Sequence, residues 1–227
     1  MARTVRAAQT VRREAFVEAA TRLIRTKGYE QMSVQDVLDE LGASKGSFYH
    51  YFDSKRALLV AVSDRMTEAA VAGLTPMLED PSRTALQKLQ AVFTGLADYT
   101  GTRRDLVLAV LETWRSDDNA IVREQVRRSG ARRLRPVLSA LVAQGVDEGA
   151  FAAVEPEETA IVMASMLYGF QETGTDLFFA RRGGEISFDA VLRANAANLA
   201  ALERLLGLPA GSLEGHDEAT LRLWFDG

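Results

Sequence analysis

Ser44-Lys45-Gly46-Ser47 sets one cation, one residue without a side chain and two short hydroxyls in four consecutive positions. At the first turn of a helix, such a set can be pressed against base edges in the major groove of DNA. Lys45 can donate to guanine, a contact worth ~1–3 kcal/mol of discrimination when bidentate. Gly46 lets the backbone come close, and Ser47 is short enough to read or tolerate several bases. Something must hold this turn still. Ser44 is a candidate N-cap, and Phe48 and Phe52, one turn apart, are too large and apolar to be left in water, so they predict an anchor on the other side.

The flanking residues predict the elements that would position it. Ser33 followed by Asp36 reads as a capped helix start, with an acid where the helix dipole favours one. Val34, Val37, Leu38 and Leu41 then fall on one apolar face, and Gly42 supplies a stop. Upstream, Ala15, Phe16, Ala19, Leu23 and Ile24 predict a supporting helix over 10–27, ended by Gly28. Downstream, Ser54 predicts a cap for a helix over 55–78, with Leu58, Leu59, Val62 and Met66 inward. Residues 1–9 lack apolar periodicity and carry Arg3 and Arg6, which fits a frayed terminus or a basic arm reaching a neighbouring groove.

The whole stretch resembles the DNA-binding helix-turn-helix of the tetracycline-repressor (TetR) family of bacterial regulators. Gly28-Tyr29, Ser33-Val34, Val37, Gly42, Ser44, Gly46, Phe48-Tyr49, Tyr51-Phe52, Ser54 and Lys55 carry the likeness. Leu38, Leu41 and Ala43 depart from the common pattern, where alanine or valine is usual, and would alter packing between the two helices. The resemblance implies that Tyr49, His50, Ser33 and Lys55 contact backbone phosphates, so the predicted DNA-binding set is Ser33, Ser44, Lys45, Gly46, Ser47, Tyr49, His50 and Lys55. It covers about the first quarter of the chain.

Composition narrows the alternatives. The 227 residues include no cysteine and two histidines, His50 and His216, so no metal site or thiol chemistry is expected. No triad, phosphate loop or catalytic carboxylate pair stands out, and neither an enzyme nor a cofactor is expected. No apolar run is long enough to cross a membrane, which leaves a cytoplasmic protein as the expectation. Residues 1–60 hold ten basic against seven acidic side chains, and the remainder seventeen against twenty-four. Phosphate binding needs local positive charge, and an acidic body argues against non-specific DNA compaction.

The remaining sequence predicts an all-α protein: an N-terminal arm and DNA-binding domain over 1–58, a larger helical effector-binding and dimerisation domain over 59–207, and a tail over 208–227. Asp80-Pro81 predicts a helix start, Asp117 or Asp118 another, and Pro136 a break or kink within the latter. Glu155-Pro156 opens a long helix and Ser187 a second, joined through Gly183-Gly184. Pairing with a second copy would give a four-helix bundle, the homodimer interface that the resemblance also implies. The resemblance further implies an effector pocket, for which Phe93, Leu96, Leu108, Leu111, Trp114, Leu141, Met163, Met166 and Phe170 are candidate lining. That set leans toward a small apolar or aromatic ligand. The expected function is a repressor that binds a palindromic double-stranded DNA operator as a homodimer; the alternative is a body that binds a protein partner or no effector.

Overall fold

The computed structural model describes residues 2–114, 119–152 and 155–226, without the side chains of residues 2–6 and 8. Among the described residues the chain is all α, with ten helices and no strand. It divides into two compact units, residues 1–68 with 103–129, and residues 69–102 with 130–227.

The first unit holds α1 (Ala2–Lys27), α2 (Val34–Leu41), α3 (Lys45–Tyr49), the first part of α4 (Lys55–Leu78), α6 (Arg104–Trp114) and the start of α7 (Ala120–Asp147). Helix α1 starts at Ala2, earlier than residue 10. No glycine or proline interrupts residues 2–9, and alanine, arginine and glutamine favour helix even without an apolar stripe. The side chains of Arg3 and Arg6 lie outside the described residues, as do Asp117 and Asp118. The core joins Phe16, Ala19, Ala20 and Ile24 of α1 to Val37, Leu38, Phe48, Phe52, Leu58, Leu59 and Val62. Leu106 and Val110 of α6, and Val122 and Val126 of α7, close the same core. By packing, the unit therefore extends past residue 58 and recruits the segment 103–129.

The second unit holds the rest of α4 and α7, α5 (Ala85–Gly101), α8 (Pro156–Arg182), α9 (Phe188–Leu206) and α10 (Glu218–Phe225). Its core includes Leu89, Leu138, Val142, Phe151, Ala160, Met163, Leu202 and Leu206. Two sequence expectations are corrected here. Helix α5 starts at Ala85, where Thr84 and Gln87 form a reciprocal capping box. Asp80-Pro81 makes a turn instead, with Asp80 accepting from the Ser82 amide at 2.9 Å and its hydroxyl at 2.6 Å. An Asp-Pro pair suits turns and helix starts alike. Of the break or kink expected at Pro136, the break does not occur, since α7 runs through it as one helix. The missing backbone bond is offset by burial of Leu138, Leu141 and Val142 just beyond.

Helices α8 and α9 pack together across the turn at 183–187, and α9 ends at Gly207 with φ 66. A side chain there would meet Cβ of Ala152 at 2.5 Å, so the position needs glycine for both backbone angle and space. The tail is ordered onto this unit. Leu213 and Leu221 are buried, the Phe225 ring meets Phe178 at 6.2 Å, and Arg181 pairs with Asp226 at 2.8 Å.

Candidate nucleic-acid interface and cavity

The turn from α2 to α3 is built by three local devices. Ser33 and Asp36 form a capping box at the start of α2, and Gly42 ends it in the left-handed conformation, φ 57. The Ser44 hydroxyl then accepts from the Ser47 amide at 3.2 Å, capping α3. Arg22 of α1 reaches Glu40 at 2.7 Å and Lys27 reaches Asp36 at 2.7 Å, tying α2 to its support. Exposed pairs of this kind contribute little stability, ~0–1 kcal/mol each, but they fix orientation.

Helix α3 is held by one side only. Phe48 is fully buried, with its ring 5.7 Å from those of Phe16 and Phe52. On the opposite side Ser44, Lys45 and Gly46 are exposed and Ser47 is half-buried. Lys45 makes no hydrogen bond or ion pair with the described residues, so its ammonium is free for an incoming acceptor. Tyr49 is 55% exposed, packed edge-on against Phe48 at 5.3 Å, and His50 stands edge-on to Tyr51 at 4.8 Å.

Two members of the predicted set are already engaged. Ser33 gives both its amide and its hydroxyl proton to Asp36, each at 2.8 Å. A phosphate at Ser33 would have to displace that carboxylate. Lys55 is half-buried, its ammonium 3.3 Å from the Glu30 carbonyl oxygen and 4.2 Å over the Tyr29 ring. Burial pushes its pKa down, against the opposing pull of the Glu30 and Asp36 charges.

The Asp36 carboxyl is held well below the usual carboxylate range, first by the hydrogen bond from Lys27, then by the Ser33 amide and hydroxyl. Its folded pKa is depressed, so its contribution is present above the unfolded value of about 4 and is lost as pH falls further. Thermal melts from pH 7 to pH 3 should show the melting temperature falling below about pH 4, with a flatter acid limb for Asp36→Asn. An unchanged acid limb in the variant would exclude Asp36 from that loss.

The predicted effector residues do not converge. Leu108, Leu111 and Trp114 belong to the first unit, where Trp114 packs against its core. Leu141 and Met163 are buried in the solid core of the second unit, and Leu96 and Met166 are half-buried outside its cavity. Phe93 and Phe170 do line a cavity of about 290 Å³ in that unit, between α5, α8, α9 and the C-terminal segment. Sequence reasoning missed its polar lining, Gln171, Asn195, Asn198, Glu214 and His216. Asn195 and Asn198 fall among inward positions of α9, which was the available signal.

Comparison with known proteins agrees with this geometry. Residues 16–62 match the family model for bacterial regulatory proteins of the tetR family. Residues 16–62 therefore carry a TetR-family DNA-binding region. The matched span covers α1 from Phe16, the whole helix-turn-helix and α4 to Val62. The HTH-type transcriptional regulator EthR of Mycolicibacterium smegmatis is 30% identical over 106 residues, 45% of this chain and 49% of that protein. This chain thus spans about half the length of that relative. An uncharacterized HTH-type transcriptional regulator of Bacillus subtilis, YfiR, is 25% identical over 196 residues, 81% of this chain and 93% of the relative. A family member of known structure from Pectobacterium atrosepticum superposes with a TM-score of 0.65 at 20% identity, covering 89% of this chain and 96% of that one. That likeness shows a shared fold over most of the chain. No described helix is long and apolar enough to cross a membrane.

Proposed function

We propose that the chain is a homodimeric, ligand-responsive repressor that binds a palindromic operator through α3 and is released by a small, largely apolar effector. The observation that carries this reading is the exposed leading turn of α3, Ser44 to Ser47, fixed from behind by a buried Phe48. Tyr49 and His50 follow on the next turn, where they can grip the phosphate backbone.

One such helix binds too weakly to regulate, so a second copy is needed at a half-site one helical turn away, ~34–36 Å. The outer faces of α8 and α9 supply the surface for it. Ile161 and Val162 are 43% and 47% exposed, and Gly169, Ala196 and Ala197 are exposed and small enough for close helix approach. Ala160 and Ala164, by contrast, are spent on the chain's own core.

Helices α4 and α7 each begin in the first unit and end in the second. A ligand that favours one arrangement of these helices shifts the DNA-binding equilibrium by its differential affinity for the two states. Sedimentation should give a dimer, and footprinting on a selected operator should protect two half-sites one turn apart. Ile161→Arg should dissociate the dimer and lose the footprint. A monomeric wild type at micromolar concentration would sink the half-site argument.

A further inference from the structure

The cavity in the second unit has a wall that its long helices do not provide. The segment from Leu213 to Phe225 closes one side and is secured along its length. The Gln90 side chain donates to the Glu214 carbonyl oxygen and accepts from the Glu214 amide, both at 2.8 Å. The Leu213 amide donates to the buried Glu203 carboxylate at 2.9 Å. At the far end Arg222 lies 4.2 Å over the Phe188 ring. Gly215 sits so close to α9 that a side chain there would meet Leu199 at 2.7 Å and the Asn195 amide at 2.9 Å. These ties hold the tail as part of the unit and leave a hole beneath it.

The hole has two chemical halves. Phe93, Phe170, Leu177, Leu199, Leu221 and Phe225 make it apolar. Gln171 of α8, which is exposed, and the half-exposed Asn195 and Asn198 of α9 also line it, and none of these three side-chain amides has a hydrogen-bond partner among the described residues. Asn195 and Asn198, three apart, share one helix face. Among the described residues no lysine or arginine lines the cavity, and Glu214 brings the one full charge. An anion entering would lose its hydration without gaining a counter-charge, whereas a neutral molecule can bond the idle amides. At about 290 Å³ the space lies at the lower edge of small-molecule sites, ~300–1,000 Å³.

The cavity also faces away from the proposed dimer surface. At 100° per residue, Leu167, Phe170, Gln171, Gly174 and Leu177 lie on the side of α8 opposite Ile161, Val162, Ser165, Gly169 and Glu172.

We propose that this cavity, with the C-terminal segment as its wall, is the effector site, and that it selects an uncharged aromatic or aliphatic molecule bearing a hydrogen-bonding group while rejecting anions. The proposal rests on the reading of the chain as a ligand-responsive regulator, and it assigns the tail a role in ligand recognition.

The test uses the intact chain without DNA and two fluorescent probes of one skeleton. N-phenyl-1-naphthylamine is neutral, and 8-anilinonaphthalene-1-sulfonate adds a single negative charge. The neutral probe should saturate at one per chain and bind at least about tenfold more tightly than the sulfonate. Ala194→Phe, which fills the cavity from α9, should weaken the neutral probe by about tenfold or more. Asn198→Lys should reverse the preference by supplying the missing cation, and this holds the test open should Ala194→Phe fail to fold. Equal binding of both probes to the wild type would overturn the proposal. So would indifference of both variants, or a probe signal that falls as chain concentration rises, since a second copy would then occupy the site. Operator binding is read separately by mobility shift. Its absence would sink the regulator reading and leave the probe result standing, whereas probe bound elsewhere would sink only the cavity.

Discussion

Replacing Phe48 with alanine should cost about 3–5 kcal/mol of folding stability and abolish operator binding. Helix α3 is five residues long, far below the length at which a helix holds itself together in water. Its position is therefore inherited from the ring on its inner face. That ring is fully buried and stands edge-on to Phe16 and tilted against Phe52. Removing it opens a cavity at the point where α1, α3 and the start of α4 meet, and the expected loss is a large share of the ~5–15 kcal/mol that stabilises an ordinary domain. Denaturant unfolding followed by circular dichroism gives the first quantity and a mobility shift the second. Phe48→Leu, which keeps most of the apolar volume, should recover much of both. An alanine variant that binds operator as tightly as the wild type would show that α3 does not present the reading surface.

How much of this could be read from residues alone depended on the distance over which the information is carried. The helix-turn-helix was legible because its signals are local: a Ser33 cap with its acid, a glycine stop at Gly42 and a second serine cap at Ser44. The bounds of α4, Lys55 to Leu78, emerged for the same reason, even though Pro76 lies within its last turn. Recruitment of α6 and the start of α7 into the first core was not legible. Leu106, Val110 and Val122 show that they face inward, but periodicity does not say against which partner.

The cavity failed in the sequence reading for a related reason. Aromatic and methionine residues at helical spacing announce burial, and burial does not distinguish a filled space from an empty one. Met163 and Leu141 meet side chains, while Phe93 and Phe170 meet a hole. The informative residues were Asn195 and Asn198, polar groups at inward positions of an alanine-rich helix. Both are half-exposed, and they line a space that a ligand can fill.

Lys45→Ala and Tyr49→Phe should both weaken operator binding, and the way they differ identifies which residue reads sequence. Lys45 has no partner among the described residues, so truncating it breaks nothing in the free protein and its whole effect falls on the complex. Loss of a bidentate contact to guanine would cost ~1–3 kcal/mol, about five- to 150-fold in affinity, on the preferred operator. On an operator with that base pair changed, the variant and wild type should bind alike. Tyr49→Phe removes one hydroxyl from a ring that stays packed on Phe48, so its loss should be smaller and the same on every sequence. Salt dependence separates the remaining case. If Lys45 instead pairs with a phosphate, its removal should lower the slope of log affinity against log salt by about 0.9 and leave base preference intact. Tyr49→Phe carries no charge change and should leave that slope alone. Equal loss for Lys45→Ala across all operators, with the shallower slope, would move sequence reading from Lys45 to Ser47 and the neighbouring backbone, since Gly46 leaves that turn open for close approach.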